Sequence, residues 1–175
     1  TASPDDVEVA RVLGAEGIGL FRTEYSFLGR DALATMQRLL FADSEDSRRK
    51  TLADLFPLQC AAYADLFERA NGMPVTIRLL DMPLSEFLPK TAAEMSTVAK
   101  AVRIRARDAR ARAERLLEAN PVLGHRGCRL SISQPDLYAV QVRAILTAAG
   151  AADAIPQILV PMVSSAREFE VIRGS

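Results

Sequence analysis

Hydrophobic and polar positions follow two rhythms along this chain. Short, mostly apolar runs at 17–22, 75–80, 127–132 and 155–163 have the length of β-strands. Between them lie longer stretches whose apolar residues recur every three or four positions, the spacing of one helix face. Ser3-Pro4-Asp5-Asp6 predicts a helix start: a capping side chain, a proline in the first turn, then acids at the positive end of the helix dipole. Gly14 ends that helix. Residues 31–41 and 47–70 read as helical, with Pro57 opening a new helix and Asn71-Gly72 as a stop.

From 92 to 118 the pattern is helical again, with Val98, Val102, Arg105, Ala109, Ala113 and Leu116 near one stripe. Asn120-Pro121 breaks it. Gln134-Pro135-Asp136 opens a further helix to about 149, closed by Gly150. The run IPQILVPMV at 155–163 reads as a strand buried on both faces. Ser164-Ser165 caps a last helix.

Strand then helix, four times over, predicts an α/β fold: a parallel sheet with helices outside it. An open doubly wound sheet and a (β/α)8 barrel both fit, and four units make the first half of such a barrel. The chain of 175 residues suits one domain, and its 49% hydrophobic content supports a full core. Lysine and arginine total 22, as do aspartate and glutamate, so no bulk attraction to nucleic acid or anionic membrane is expected. No apolar run is long enough to span a bilayer, and TASPDDVEVAR lacks signal-peptide character. Cys60 and Cys128 read as reduced thiols of a cytoplasmic protein. A start without methionine and an end inside a helical pattern predict a fragment of a longer protein. A half barrel would leave its first and fourth strands with open edges, so self-association, as a homodimer or aggregate, is expected.

Arginines fall at or near the ends of the predicted strands. Arg22 closes the first, Arg78 lies late in the second with Asp81 behind it, and Arg126 and Arg129 flank the start of the third. Function gathers at the C-terminal ends of parallel strands, and a guanidinium grips phosphate or carboxylate with two parallel hydrogen bonds. An unpaired charge inside an apolar strand is costly, which favours a functional role for Arg22 and Arg78. His125, the one histidine, reads as a hydrogen-bonded loop residue. No histidine, cysteine and carboxylate set has metal spacing, and no glycine-rich phosphate loop is present. The arginine-rich stretch 103–115 is interleaved with Asp108 and Glu114 and reads as a solvated helix face.

Three blocks, GAEGIGLFRTE, PVTIRLLDMPLSEFLP and NPVLGHRGCRL, followed by IPQILVPMV, resemble the PEP/pyruvate-binding barrel of the PEP-utilising phosphotransferases. The second and third blocks carry the wording of the pyruvate, phosphate dikinase branch. The stretch Glu24-Tyr25-Ser26-Phe27-Leu28 is closer to Enzyme I of the sugar phosphotransferase system, which with PEP synthase forms the first alternative; a non-catalytic anion-binding or assembly module is the second. The resemblance implies that Arg22 and Arg78 hold the phosphoryl group of phosphoenolpyruvate, that Arg126 belongs to the same pocket, and that Asp81 orients an arginine or the ligand. It implies a parent enzyme that interconverts ATP, pyruvate and phosphate with AMP, phosphoenolpyruvate and pyrophosphate. A phosphohistidine on a separate swivelling domain would carry the phosphoryl group, and Mg²⁺ would steady the enolate oxygen. The family's Mg²⁺ ligands and acid/base cysteine lie on later strands, so Cys128 is not that cysteine; the phosphate-carrying histidine belongs to the separate domain, so His125 does not take that role. The fragment alone is expected to be inactive.

Overall fold

The computed structural model describes residues 1–174. The elements run α1 (Pro4–Val12), β1 (Ile18–Arg22), α2 (Glu24–Leu28), α3 (Arg30–Leu40), α4 (Glu45–Ala70) and β2 (Val75–Arg78). A 3-10 turn (Leu84–Phe87), α5 (Ala92–Ala101), α6 (Ala106–Leu116), α7 (Gly127–Ser133), α8 (Pro135–Ala151), β3 (Gln157–Leu159) and α9 (Ala166–Gly174) follow. The strands form one parallel sheet in the order β1-β2-β3. The α/β class stands, with helices dominating.

The helix signals act as their chemistry demands. Ser3 and Asp6 form a reciprocal capping box, each side chain accepting from the other's backbone N–H. Gly14 takes φ +89° behind α1, and the Ala15 N–H reaches back to the Ala10 carbonyl. Asn71 and Gly72 both adopt positive φ where α4 ends. The main core packs Phe27, Met36, Leu55, Tyr63, Leu66, Ile77, Leu80 and Ile145 between the sheet and its helices. A second cluster, with Phe41, Leu88, Val98, Ala109 and Ala113, seats α5 and α6. At the rim, Arg48 grips Asp136 through two hydrogen bonds of 2.5 and 2.6 Å, joining α4 to α8. Those bonds hold the Asp136 carboxyl below its usual range.

Five expectations change. Residues 127–132 form α7 rather than a third strand. Gly127, Cys128, Leu130 and Ser131 are buried there, a helical spacing that six residues cannot separate from strand alternation. The fourth predicted strand shrinks to Gln157–Leu159, and all three residues are exposed rather than buried on both faces. Prolines bracket it, and Met162 behind it has φ +61°. Pro57 sits inside one continuous helix, α4, at the cost of one backbone donor. The stretch 92–118 splits into α5 and α6 because Arg103 turns left-handed (φ +58°) and the Ile104 N–H closes on the Ala99 carbonyl. Finally, α8 runs through Gly150 to Ala151, and Asp153 (φ +50°) makes the stop instead.

One edge of the sheet is partly covered rather than open. The Arg22 N–H donates to the Thr1 carbonyl at 3.0 Å, and the Thr1 ammonium donates to the Leu20 carbonyl at 2.9 Å. The outer edge of β1 is therefore occupied at its C-terminal half.

Candidate functional site

The site begins with a misalignment. Ile18 pairs with Val75 and Phe21 with Ile77, so β1 carries one residue more than β2 over that interval. This bulge breaks strict alternation: Ile18 and Phe21 are the buried positions of β1, and Leu20 is only partly buried. Beyond it, Arg22 pairs with Arg78. Paired positions on neighbouring parallel strands project from the same face about 4.8 Å apart. Two guanidinium side chains thus leave the C-terminal end of the sheet side by side.

Arg78 is the better anchored of the two. Its Nη2 donates to Glu24 Oε1 at 2.9 Å, and its Nη1 lies 3.5 Å from Asp81 Oδ2. Asp81 in turn accepts from Arg126 Nε at 3.1 Å through its other oxygen. The result is a chain of alternating charge, Glu24–Arg78–Asp81–Arg126. Both carboxylates are nearly buried, with side-chain exposures of 8% and 9%, while the arginines keep 22% and 23%. Two cations meet two anions, so the chain closes neutral. Arg22, exposed and without an ion pair or hydrogen bond from its side chain among the described residues, adds a positive charge beside it.

A layer of buried polar groups holds these residues in place. Thr23 Oγ1 donates to the Arg78 carbonyl at 3.0 Å. Gln141, 2% exposed on α8, donates to Thr23 Oγ1 and to the Tyr63 hydroxyl, and its Oε1 accepts from the Leu80 N–H. The ends of β1 and β2 are thus fastened to α4 and α8 through one amide. The Tyr138 hydroxyl lies 2.7 Å from the Leu80 carbonyl and 3.1 Å from that of Gly127. Burial, with the nearby charges of Asp81 and Glu24, pushes its phenol far up, so it remains a donor. The Cys128 N–H donates to the Pro161 carbonyl at 2.9 Å, setting the start of α7 against the end of the β3 segment.

Gly127 is the hinge of this arrangement. It takes φ +54°, and a Cβ there would sit 3.0 Å from Asp81 Oδ1 and 3.2 Å from Met162. Gly127→Ala should therefore lower stability by about 1–2 kcal/mol, the ordinary cost of a left-handed L-residue, and push the Asp81 carboxylate from its place. Urea unfolding checks this, with Gly19→Ala as control, since a Cβ at Gly19 meets nothing within 4 Å.

The structure brings Arg78, Asp81 and Arg126 into direct contact and sets Arg22 beside them. Arg129 does not join them; it donates to the Val122 and Leu123 carbonyls. His125 is a hydrogen-bonded loop residue, its N–H bonded to Glu118 and its ring to Ser133. Burial raises the Cys128 thiol, which keeps it protonated. Glu24 was missed by reasoning from the cations alone. Its signal was available: an acid two residues beyond Arg22, at the end of an apolar run, needs a cationic partner if it is buried. Among the described residues no cluster of three histidine, cysteine or acidic side chains can hold a metal ion. No described helix is long and apolar enough to cross a membrane. A groove of about 520 Å³ on the outer helices, lined by Arg48, Phe56, Asp136 and Arg143 among others, shares no residue with the charge chain.

The family model described as PEP-utilising enzyme, PEP-binding domain, matches residues 1–174. The chain belongs to the PEP-utilising enzyme family. Pyruvate, phosphate dikinase of Rhizobium meliloti (strain 1021) is 46% identical over 179 residues, covering 98% of this chain and 20% of the relative. The pyruvate, phosphate dikinase of Clostridium symbiosum is 35% identical, with coverages of 98% and 20%. The chloroplastic pyruvate, phosphate dikinase 1 of Arabidopsis thaliana is 40% identical, with coverages of 95% and 18%. The chain thus spans about a fifth of the length of these curated relatives. Within this PEP-utilising segment, the three motif blocks read from the sequence supply every member of the charge chain: Glu24 from the first, Arg78 and Asp81 from the second, Arg126 from the third.

Proposed function

We propose that residues 1–175 are part of the phosphoenolpyruvate/pyruvate-binding domain of a pyruvate, phosphate dikinase. The observation that carries this reading is the register of Arg22 with Arg78 at the C-terminal end of parallel strands, beside Asp81 and Arg126. The dikinase names of the relatives favour this branch over Enzyme I and PEP synthase. Arg22 and Arg78 would receive the phosphoryl oxygens, and Arg126 would face the same ligand. Asp81 would orient the Arg126 guanidinium through its hydrogen bond and place its charge beside Arg78. Transfer of a phosphoryl group asks mainly for positioning and for neutralisation of spread-out negative charge, which prearranged arginines supply.

The parent reaction would convert ATP, pyruvate and phosphate to AMP, phosphoenolpyruvate and pyrophosphate, with the phosphoryl group carried by a histidine on a swivelling domain of the same polypeptide. Mg²⁺ would serve that reaction, but this chain's residues do not fit it. Glu24 and Asp81 are both engaged by arginine, and no third ligand stands with them. We assign the metal ligands to side chains outside these residues, and expect the segment alone to be inactive. Three adjacent parallel strands in chain order support reading the sheet as the opening part of a (β/α)8 barrel. Exposed Ile158 and Leu159 on β3 support self-association, and two free thiols support a cytoplasmic setting.

Titration of the chain with phosphoenolpyruvate, followed by the side-chain N–H resonances of arginine, tests the site. Arg22, Arg78 and Arg126 should shift while Arg48 and Arg69 stay still. Shifts confined to arginines other than Arg22, Arg78 and Arg126 would overturn the assignment.

A further inference from the structure

We propose that Glu24 is the positioning residue for Arg78, fixing the angle at which that guanidinium meets a phosphoryl ligand; this rests on the function proposed above. Glu24 opens α2, two residues beyond Arg22, and its side chain is 8% exposed. One oxygen, Oε1, accepts both from Arg78 Nη2 at 2.9 Å and from the Asp81 N–H at 3.0 Å. A single atom thus ties down the last residue of β2 and the backbone of the loop behind it.

Arg78 has little else to orient it. Its contact with Asp81 Oδ2, at 3.5 Å, is longer than a good hydrogen bond. Arg78 Nε and Glu24 Oε2 are both buried and lack hydrogen-bond partners among the described residues. The pair is therefore joined at one point, not by the two parallel bonds that an arginine and a carboxylate can form. A planar group held at one corner keeps its direction through the charge of its partner rather than through packing. A neutral amide in place of Glu24 keeps an acceptor for the Asp81 N–H. It also weakens the hold on Arg78 and turns an N–H donor toward the buried position of Oε2, which has no acceptor.

The test is a double-mutant cycle in the complete polypeptide that carries this segment, with Glu24→Gln, Arg78→Gln and both together. Glu24→Gln should lower kcat with phosphoenolpyruvate by about 10- to 100-fold, the cost of misplacing a reacting partner. KM should change by less than about threefold, because Arg22 and Arg126 still meet the ligand. With Arg78→Gln already present, Glu24→Gln should alter kcat by less than about twofold, since a residue acting through another has nothing left to act on. Additive losses, or an unchanged kcat in Glu24→Gln, would overturn the proposal. Urea midpoints are read alongside, and a loss of turnover that tracks loss of folded protein would overturn it too. Unchanged kinetics in Arg78→Gln would instead remove the function proposed for the whole site, and this inference with it.

Discussion

Arg78→Ala should reduce kcat/KM for phosphoenolpyruvate by about 10²–10³-fold in the complete enzyme, the usual effect of deleting one fixed donor to developing charge. The side chain leaves the sheet next to Arg22 and is the centre of the charge chain, touching Glu24 on one side and Asp81 on the other. Its removal therefore does more than delete a cation. Glu24 Oε1 keeps only the Asp81 N–H, and its carboxylate remains nearly buried without a counter-ion. The fold should lose on the order of 3–5 kcal/mol for that orphaned charge, comparable with the change in activation free energy. Steady-state kinetics and urea unfolding on the same preparation separate the two. Wild-type kinetics would exclude Arg78 from the site.

Gln141→Leu should cost about 2–4 kcal/mol, one buried N–H left bare and two further hydrogen bonds lost. Leucine has nearly the volume of glutamine, so packing changes little. The chemistry changes a good deal. The Leu80 N–H loses its acceptor, and the Thr23 and Tyr63 hydroxyls lose the donor they share. Burial pushes the Tyr63 phenol far up, so it cannot relieve the strain by ionising. Thr23 also bonds to the Arg78 carbonyl, so the site should loosen along with the fold. A drop in urea midpoint at constant m-value is the expected signature. A midpoint unchanged within error would show that this amide is not the fastening between α8 and the two strand ends.

Much of the architecture is legible where a residue has one physical role. Ser3 caps, Gly14 takes positive φ, and Asn71-Gly72 stops α4, because few other residues do these jobs. The first two strands and their arginines are legible because charge at the end of an apolar run is rare. The third block is not. CRLSI satisfies both the strand and the helix rhythm over so short a span, and only its bond to Pro161 and the left-handed Gly127 decide it. Pro57 misleads for a related reason: a proline reads as a helix start, yet a helix of 26 residues with a buried face absorbs one missing donor. Glu24 escaped because its importance lies in a partner 54 residues away. The bulge in β1 was equally hidden, since it exists only relative to β2.

The backbone tie between Thr1 and β1 has a consequence for assembly. A parallel sheet with both margins open can add strands in either direction, which is the geometry of a growing filament. Here one margin is already shut at residues 20–22 by Thr1. Pairing through β3 alone joins like to like, and a two-fold contact of that kind uses up the same surface on both copies. If the segment associates through β3, such growth would stop at two.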